Sequence, residues 1–548
     1  MKTHQVENQV PPLANYNLFS SDAALRAAVE CHGVKAAADE LTEFGALVGS
    51  EAVLEHGRLA NENPPVLRAF DRNGHRINVV EYHPSYHELM ALSMAHGLHA
   101  QPWQSSMPGR FVTRAAKTYM MTQVEAGHGC PITMTFASVP ALRNSSDLAA
   151  DWVPRLISPQ YDSRNLPAVE KHANTAGMAM TEKQGGSDVR ANTTRAHAQS
   201  DGSYRLVGHK WFCSAPMSDL FLTLAHEDAG LSCFLVPRWT PDGKVNPMDI
   251  QRLKSKVGNQ SNASSEIEYK NAYAVRLGEP GRGVRTIIDM VAHTRLDCVV
   301  ASAGLMRQAV SLASHHVGHR HAFGARLVDQ PLMQNVIADL AIESEAATAL
   351  SFRLAAAYEA GQQDRGQALF ARLATAIGKY WVCKRVPWVA YEAMESHGGN
   401  GYVMEHSVGR LYREAPLNSI WEGSGNVICL DVLRALSKEP DAYEVLRAEL
   451  ATAARMEPRY DALLATIDHC VTSGQVDQFG ARRFVELLAR ALQSCMLLRH
   501  GADAVTKAYI QTRLSQEPFG CFGTLPPGLD IGAIMARAAV QNMSDADG

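Results

Sequence analysis

The sequence predicts a mainly α protein with a central antiparallel β domain: a helical domain, a β-barrel, a helical bundle and a C-terminal helical extension, in that order. Three observations predict it. Apolar residues recur at helical spacing from Asp22 to about Arg155, as in LRAAVECHGVKAAADELTEFGALVG. Near Thr175 the texture changes to short segments rich in β-branched and aromatic residues, punctuated by Asp201-Gly202, Asp242-Gly243 and Gly258-Asn259. From Val284 long, alanine-rich amphipathic stretches return and persist to Lys438.

In order along the chain, residues 1–20 are polar and proline-broken and read as an irregular arm. Residues 21–174 read as the helical domain; inside it, Asn61–Pro65 and Asp71–Gly74 carry turn chemistry and mark a surface loop. Residues 175–282 form the β-barrel, with GMAMTE, RLVGHKWFCS, LFLTLAHE, LSCFLVP and SSEIEYKNA as strands, closed near Gly278-Glu-Pro-Gly281. Residues 283–438 form a bundle of long antiparallel helices. Residues 439–548 form the extension, with helices near 441–454, 457–473, 479–498 and 501–514, then the irregular PFGCFGTLPPGLD and an SDADG tail.

A chain of 548 residues is too long for one core, and a formal net charge of −4 gives no global sign of a nucleic-acid binder, so any basic surface is local. The N-terminus lacks the apolar stretch of a signal peptide, and no uninterrupted apolar run suggests a membrane span. The ten cysteines are scattered without a CxxC pair, which fits free thiols in a reducing cytoplasm and neither disulfides nor a zinc site. His315 and His319 stand four apart, but without an acidic or Cys companion they are not read as metal ligands.

The stretch with most chemistry is NSIWEGSGNVICLDVLRAL. Ile420 and Trp421 lead into Glu422, and the turn Gly423-Ser424-Gly425-Asn426 opens an apolar helix. Ser424 or Asn426 can cap that helix, whose free N–H groups suit an anionic ligand. Glu422 reads either as a general base tuned by burial or as a first-turn carboxylate complementing the helix dipole.

Four motifs carry a resemblance to the acyl-CoA dehydrogenase flavoproteins. They are Ala179-Met180-Thr181-Glu182-Lys183-Gln184-Gly185-Gly186-Ser187-Asp188; His209-Lys210-Trp211-Phe212-Cys213-Ser214; Arg320-x-x-Phe323-Gly324; and Glu395-x-x-Gly398-Gly399-x-Gly401-Tyr402. The Glu422 segment resembles the part of that family that carries the catalytic glutamate. The resemblance implies FAD as cofactor. Met180, Thr181 and Gly186 would lie at the flavin ring, Ser187 at the pyrophosphate, and Trp211 and Ser214 against the flavin. Arg320 and Phe323 would clamp the adenine diphosphate of a dimer, and Gly398 and Gly399 would approach a neighbouring subunit's cofactor. Trp421, Ser424 and Asn426 would complete the site. Glu422 would remove the α-proton of an acyl thioester while the flavin accepts a hydride from the β-carbon.

Within that family the chain resembles members of the bacterial response to DNA alkylation. The shared marks run nearly end to end, from GRLANENPPVLRAFDRNG through GHGCPITMTFASVP and NQSNAS to LYREAPLNSIWEGSGNVICLDVLRAL, and include the extension. This resemblance implies a homotetramer, a dimer of dimers, that binds FAD and double-stranded DNA and dehydrogenates isovaleryl-CoA weakly. The alternative is an ordinary acyl-CoA dehydrogenase of branched-chain catabolism with an electron-transfer flavoprotein as acceptor. Two departures bear on this. The Asp expected three residues before Arg295 at the CoA grip is replaced by Ala292, and Arg434, twelve residues after Glu422, is expected to pair with it and weaken it as a base.

From Asp441 to Gly548 the chain carries ten Lys/Arg against thirteen Asp/Glu, yet Arg482, Arg483, Arg490, Arg499, Lys507 and Arg513 cluster there with only Glu486 and Asp503 between. Arg483 and Arg490 stand seven apart, on one helix face. These six are the expected DNA-binding residues, and a solvated helix face is the alternative. Without a base-reading motif, binding would be sequence-nonspecific.

Overall fold

The structure, a computed structural model, describes residues 3–33, 35–474, 476–515 and 520–540. Part of the expected irregular C-terminal stretch and the SDADG tail lie outside the described residues. The chain forms two compact units: residues 1–54, 107–124 and 295–548 make one, and 55–106 with 125–294 the other. Residues 21–174, expected as a single domain, therefore divide between them.

The unit containing residues 125–294 is built on strands β1 (Val66–Phe70), β2 (Arg76–Glu81), β3 (Ala176–Ala179), β4 (Arg195–Ala198), β5 (Tyr204–Ser214), β6 (Leu220–Glu227), β7 (Gly230–Pro237), β8 (Met248–Leu253) and β9 (Ser264–Leu277). The order β3-β6-β4-β5-β9-β7, with a further β6–β7 pairing, closes a barrel, and β8 pairs with β9. The pairings are antiparallel except that β3 and β4 run parallel to β6. Alternate inward residues, among them Leu206, Phe221, Phe234, Val236 and Tyr269, fill the interior. Helix Gly129–Leu142 packs on β3, and the Ala176 amide donates to Thr135 Oγ1 at 3.1 Å.

β1 and β2 form a hairpin where only a loop was expected. The turn at Asp71–Gly74 is as read, with Gly74 at φ +86° and the Asp71 carboxylate accepting from the Asn73 and His75 amides. The flanking residues extend because Val80 packs with Ile250 and Ala263, a partnership nothing local signals.

The other unit is helical. Helices Pro331–Ala360 and Arg365–Ser396 pack together, and around them lie Ala23–His32, Arg110–Val124, Gly425–Lys438, Pro440–Ala451 and Ala481–His500. Helix Gly283–His319 belongs here from Arg295 onward, and Gly304 allows close approach: a Cβ there would stand 2.5 Å from the Tyr119 carbonyl oxygen. The extension comprises helices Pro440–Ala451, Pro458–Thr472, Ala481–His500 and Asp503–Arg513, near the expected positions, and a further helix Ile531–Ala538. The arm is anchored at its end, where Tyr16, Leu18 and Phe19 are buried and the Leu18 amide donates to the Gly45 carbonyl. His315 Nε2 donates to the Pro11 carbonyl at 2.9 Å, and His319 Nδ1 to the His315 carbonyl at 2.8 Å.

Candidate active site

Glu422 adopts φ +57°, the left-handed region, followed by Gly423 at φ +103°. A non-glycine residue there costs about 1–3 kcal/mol and persists only when its surroundings hold it. Here they do, through main-chain carbonyls. Buried Lys379 donates 2.8 Å to the Trp421 carbonyl and 2.7 Å to the Gly423 carbonyl. Arg295 Nε donates 3.0 Å to the carbonyl of Glu422 itself. Arg295 is in turn fixed by Asp431, 2.7 Å away, which also binds Arg372 at 3.0 Å. Burial works against the Asp431 charge, but Arg372 and Arg295 outweigh it and hold its carboxyl below the usual range. Trp421 Nε1 donates to Asn418 Oδ1 at 2.9 Å, which orients the indole.

Helix Gly425–Lys438 starts directly after this turn, the Ile428 amide bonding the Ser424 carbonyl at 3.0 Å. Ser424 occupies the cap position without a side-chain capping bond, and Asn426 Oδ1 accepts from Arg482 Nε at 2.8 Å, so neither side chain caps the helix.

The expected pairing of Arg434 with Glu422 is corrected. Arg434 lies 3.8 Å from Asp431, one turn back on its own helix, with 63% of its side chain exposed. Arg434 is the tenth residue of helix Gly425–Lys438, and its ion pair is with Asp431. Arg434→Ala is expected to change stability by less than about 1 kcal/mol and to leave the rate of flavin reduction unaltered, as read by thermal melting and stopped-flow absorbance.

In the barrel-containing unit the first two motifs meet. The Trp211 amide donates to the Thr181 carbonyl at 2.8 Å, and Met180, Thr181, Trp211 and Ser214 are all half-buried. Gly186 and Ser187 are exposed, and a Cβ at Gly186 would reach Thr181 Cγ2 at 3.3 Å. The Lys254 ammonium lies 3.4 Å from the Trp211 ring centroid. Hydroxyls, an extended backbone and a half-buried indole suit a flavin dinucleotide, so the residues present fit the group.

What holds this loop was missed from sequence. Fully buried Lys210 donates to Glu182 at 2.8 Å and to the Leu224 carbonyl at 2.7 Å, and Glu182 accepts from the Thr193 and Thr194 amides. Burial opposes the Glu182 charge, yet Lys210 and these donors outweigh it and bring its pKa to about 2. The signal was present: Lys210 occupies an inward position of a strand, where an unpaired ammonium is untenable.

In the helical unit Arg320 is engaged by the arm, its guanidinium donating to the Asn8 carbonyl, while Phe323 is 97% exposed at φ +53°. Gly398 has φ +60°, and a Cβ at Gly398 or Gly399 would meet nothing within 4 Å.

The six basic residues of the extension do not form one stripe. Arg482, Arg483, Arg499 and Lys507 are exposed. Arg490 is partly buried beside Glu486 at 3.7 Å and donates to the Arg513 carbonyl. Arg499 lies 3.5 Å from Glu449. Arg513 is buried between Asp339, at 2.6 Å, and Glu343, at 3.2 Å, which corrects its assignment as a DNA contact: its guanidinium is already neutralised inside the bundle.

A closed barrel followed by a helical bundle bearing a strained glutamate defines a flavin-dependent acyl-CoA dehydrogenase fold. Three family models agree: the adaptive response protein AidB N-terminal domain over residues 8–163, and the acyl-CoA dehydrogenase middle and C-terminal domains over 177–272 and 281–437. The putative acyl-CoA dehydrogenase AidB of Escherichia coli is 49% identical over 84% of this chain and 85% of its own. Acyl-CoA dehydrogenase family member 11 of Caenorhabditis elegans is 33% identical over 74% of this chain and 68% of its own. A crystal structure of ACDH-11 from C. elegans, in complex with C11-CoA, superposes with a TM-score of 0.87 at 26% identity, covering 94% of this chain and 95% of that one. The chain belongs to the acyl-CoA dehydrogenase family, in its AidB branch. It is a FAD-dependent oxidoreductase.

Proposed function

We propose that this protein dehydrogenates an acyl-CoA thioester between Cα and Cβ, with Glu422 taking the α-proton. The observation that carries the reading is the Glu422 turn, a carboxylate in a strained conformation held by Lys379 and Arg295. Bound FAD supplies the hydride acceptor for the β-carbon. Met180, Thr181, Gly186, Ser187, Trp211 and Ser214 would hold it from the barrel. Trp421, Ser424 and Asn426, in the Glu422 segment, are further candidates for cofactor contact. Turnover is weak on isovaleryl-CoA, since Ala292 stands where the CoA grip calls for Asp, and an electron-transfer flavoprotein takes the electrons. Binding of an eleven-carbon acyl-CoA by the C. elegans relative supports an acyl thioester ligand. Anaerobic mixing with isovaleryl-CoA or an eleven-carbon acyl-CoA tests the reading: bleaching of the oxidised flavin is expected, and its absence with both would refute it.

A second role, in the cytoplasmic response to DNA alkylation, is favoured by the exposed basic residues Arg482, Arg483 and Lys507 of the extension. The protein acts as a homotetramer binding double-stranded DNA without sequence preference. Exposed Phe323 and Tyr402 support assembly through the cofactor-clamp face. Duplex affinity should fall with salt, and the triple variant Arg482→Ala/Arg483→Ala/Lys507→Ala should reduce the log–log slope by about 0.9 for each phosphate that is no longer neutralised. An unchanged slope would place DNA binding elsewhere on the protein.

A further inference from the structure

Lys379 sits in the middle of helix Arg365–Ser396 with 1% of its surface exposed. Its ammonium bonds only main-chain carbonyls, those of Trp421 and Gly423, and among the described residues no carboxylate forms an ion pair with it. Burying an ammonium without a counter-charge is costly, and packing alone would be served better by an apolar side chain. The two carbonyls it takes are those immediately before and after Glu422. The carbonyl between them goes to Arg295, which approaches from a different helix. Three successive carbonyls are thus held by two cations, and Lys379 closes the turn on both sides of its strained residue.

We propose that Lys379 is a positioning residue for the base: by clamping the carbonyls that flank Glu422, it holds the left-handed turn from which the carboxylate addresses the α-carbon. The proposal rests on Glu422 being that base. The Lys379 ammonium is spent on those two carbonyls, so its removal is expected to slow the chemical step and leave binding intact.

The test uses the FAD-loaded full chain, as wild type, Lys379→Met, Lys379→Arg and Glu422→Gln, mixed anaerobically with an eleven-carbon acyl-CoA. The limiting rate of flavin reduction and the apparent Kd are read from the same stopped-flow titration. A misplacement of about 1 Å costs on the order of 100-fold in rate, so Lys379→Met should lose that much while Kd and flavin content stay within about twofold. Lys379→Arg, which keeps the charge but not the geometry, should recover part of the loss. Should Lys379→Met fail to accumulate as a flavoprotein, Lys379→Arg decides: a selective rate loss supports the proposal. Wild-type rates in the Lys379 variants, or rate and Kd worsening together with loss of flavin, overturn it while Glu422→Gln remains inactive. A Glu422→Gln protein reduced at the wild-type rate overturns the assignment of the base, and the positioning role with it.

Discussion

Glu422→Gln is expected to slow reduction of the flavin by an acyl-CoA by about 10²–10⁴-fold, the usual contribution of a positioned general base. Glutamine keeps the shape of the side chain and the main-chain carbonyls that Lys379 and Arg295 hold, so the turn should survive. What disappears is the ability to accept a proton. The expected signature is therefore a flavoprotein with unaltered cofactor content and unaltered thioester affinity whose absorbance does not bleach on the wild-type timescale. Reduction at the wild-type rate would mean that another group takes the α-proton, and that the strain stored at Glu422 serves only to start helix Gly425–Lys438.

Arg513→Leu is expected to destabilise the helical unit by about 3–5 kcal/mol, the cost of breaking a buried ion pair from one side. Asp339 and Glu343 are both buried, and without Arg513 one carboxylate would lose its nearest cation while the other shared Arg385 alone. The loss should appear as a lower melting temperature and a lower denaturation midpoint. Any fall in duplex affinity should track unfolding, because a buried guanidinium offers nothing to phosphate. The pH dependence follows from Glu343. Burial works against its charge, but Arg385 and Arg513 outweigh that and bring its pKa to about 2. The folded pKa lies below that of an unfolded glutamate, so this contribution is complete above the unfolded value of about 4.3 and is lost as pH falls towards 2. In Arg513→Leu the loss of stability on acidification between those values should be smaller than in the wild type. A full acid-dependent loss in the variant would show that Arg385 alone sustains the network.

Much of the molecule was legible in the sequence. The switch from helical to alternating periodicity near Thr175, and back near Val284, located the barrel and the bundle, because those periods arise between residues a few positions apart. The Glu422 segment was legible too, since a bulky pair, an acid and a glycine turn before an apolar helix constrain their own backbone. Lys379 could have been noticed: Thr375, Ala376, Val382 and Cys383, its neighbours at helical spacing, are small or apolar and buried, so a lysine among them has to serve something. The hairpin at Val66–Glu81 was read only as its turn, because its strands are short, five and six residues.

The sequence by itself determined the class of fold and marked the candidate flavin motifs and the Glu422 turn, each encoded in local pattern and composition. The tertiary structure alone decided which cations face which carboxylates. Arg434 turns to Asp431, Arg295 holds the glutamate's own carbonyl, and of the six basic residues expected on DNA four remain on the surface while Arg513 enters the bundle. The partners of these groups lie as far as 174 residues away in the chain, and a charged side chain reports its sign but not its neighbour. Long-range pairing depends on how helices cross, which periodicity does not record.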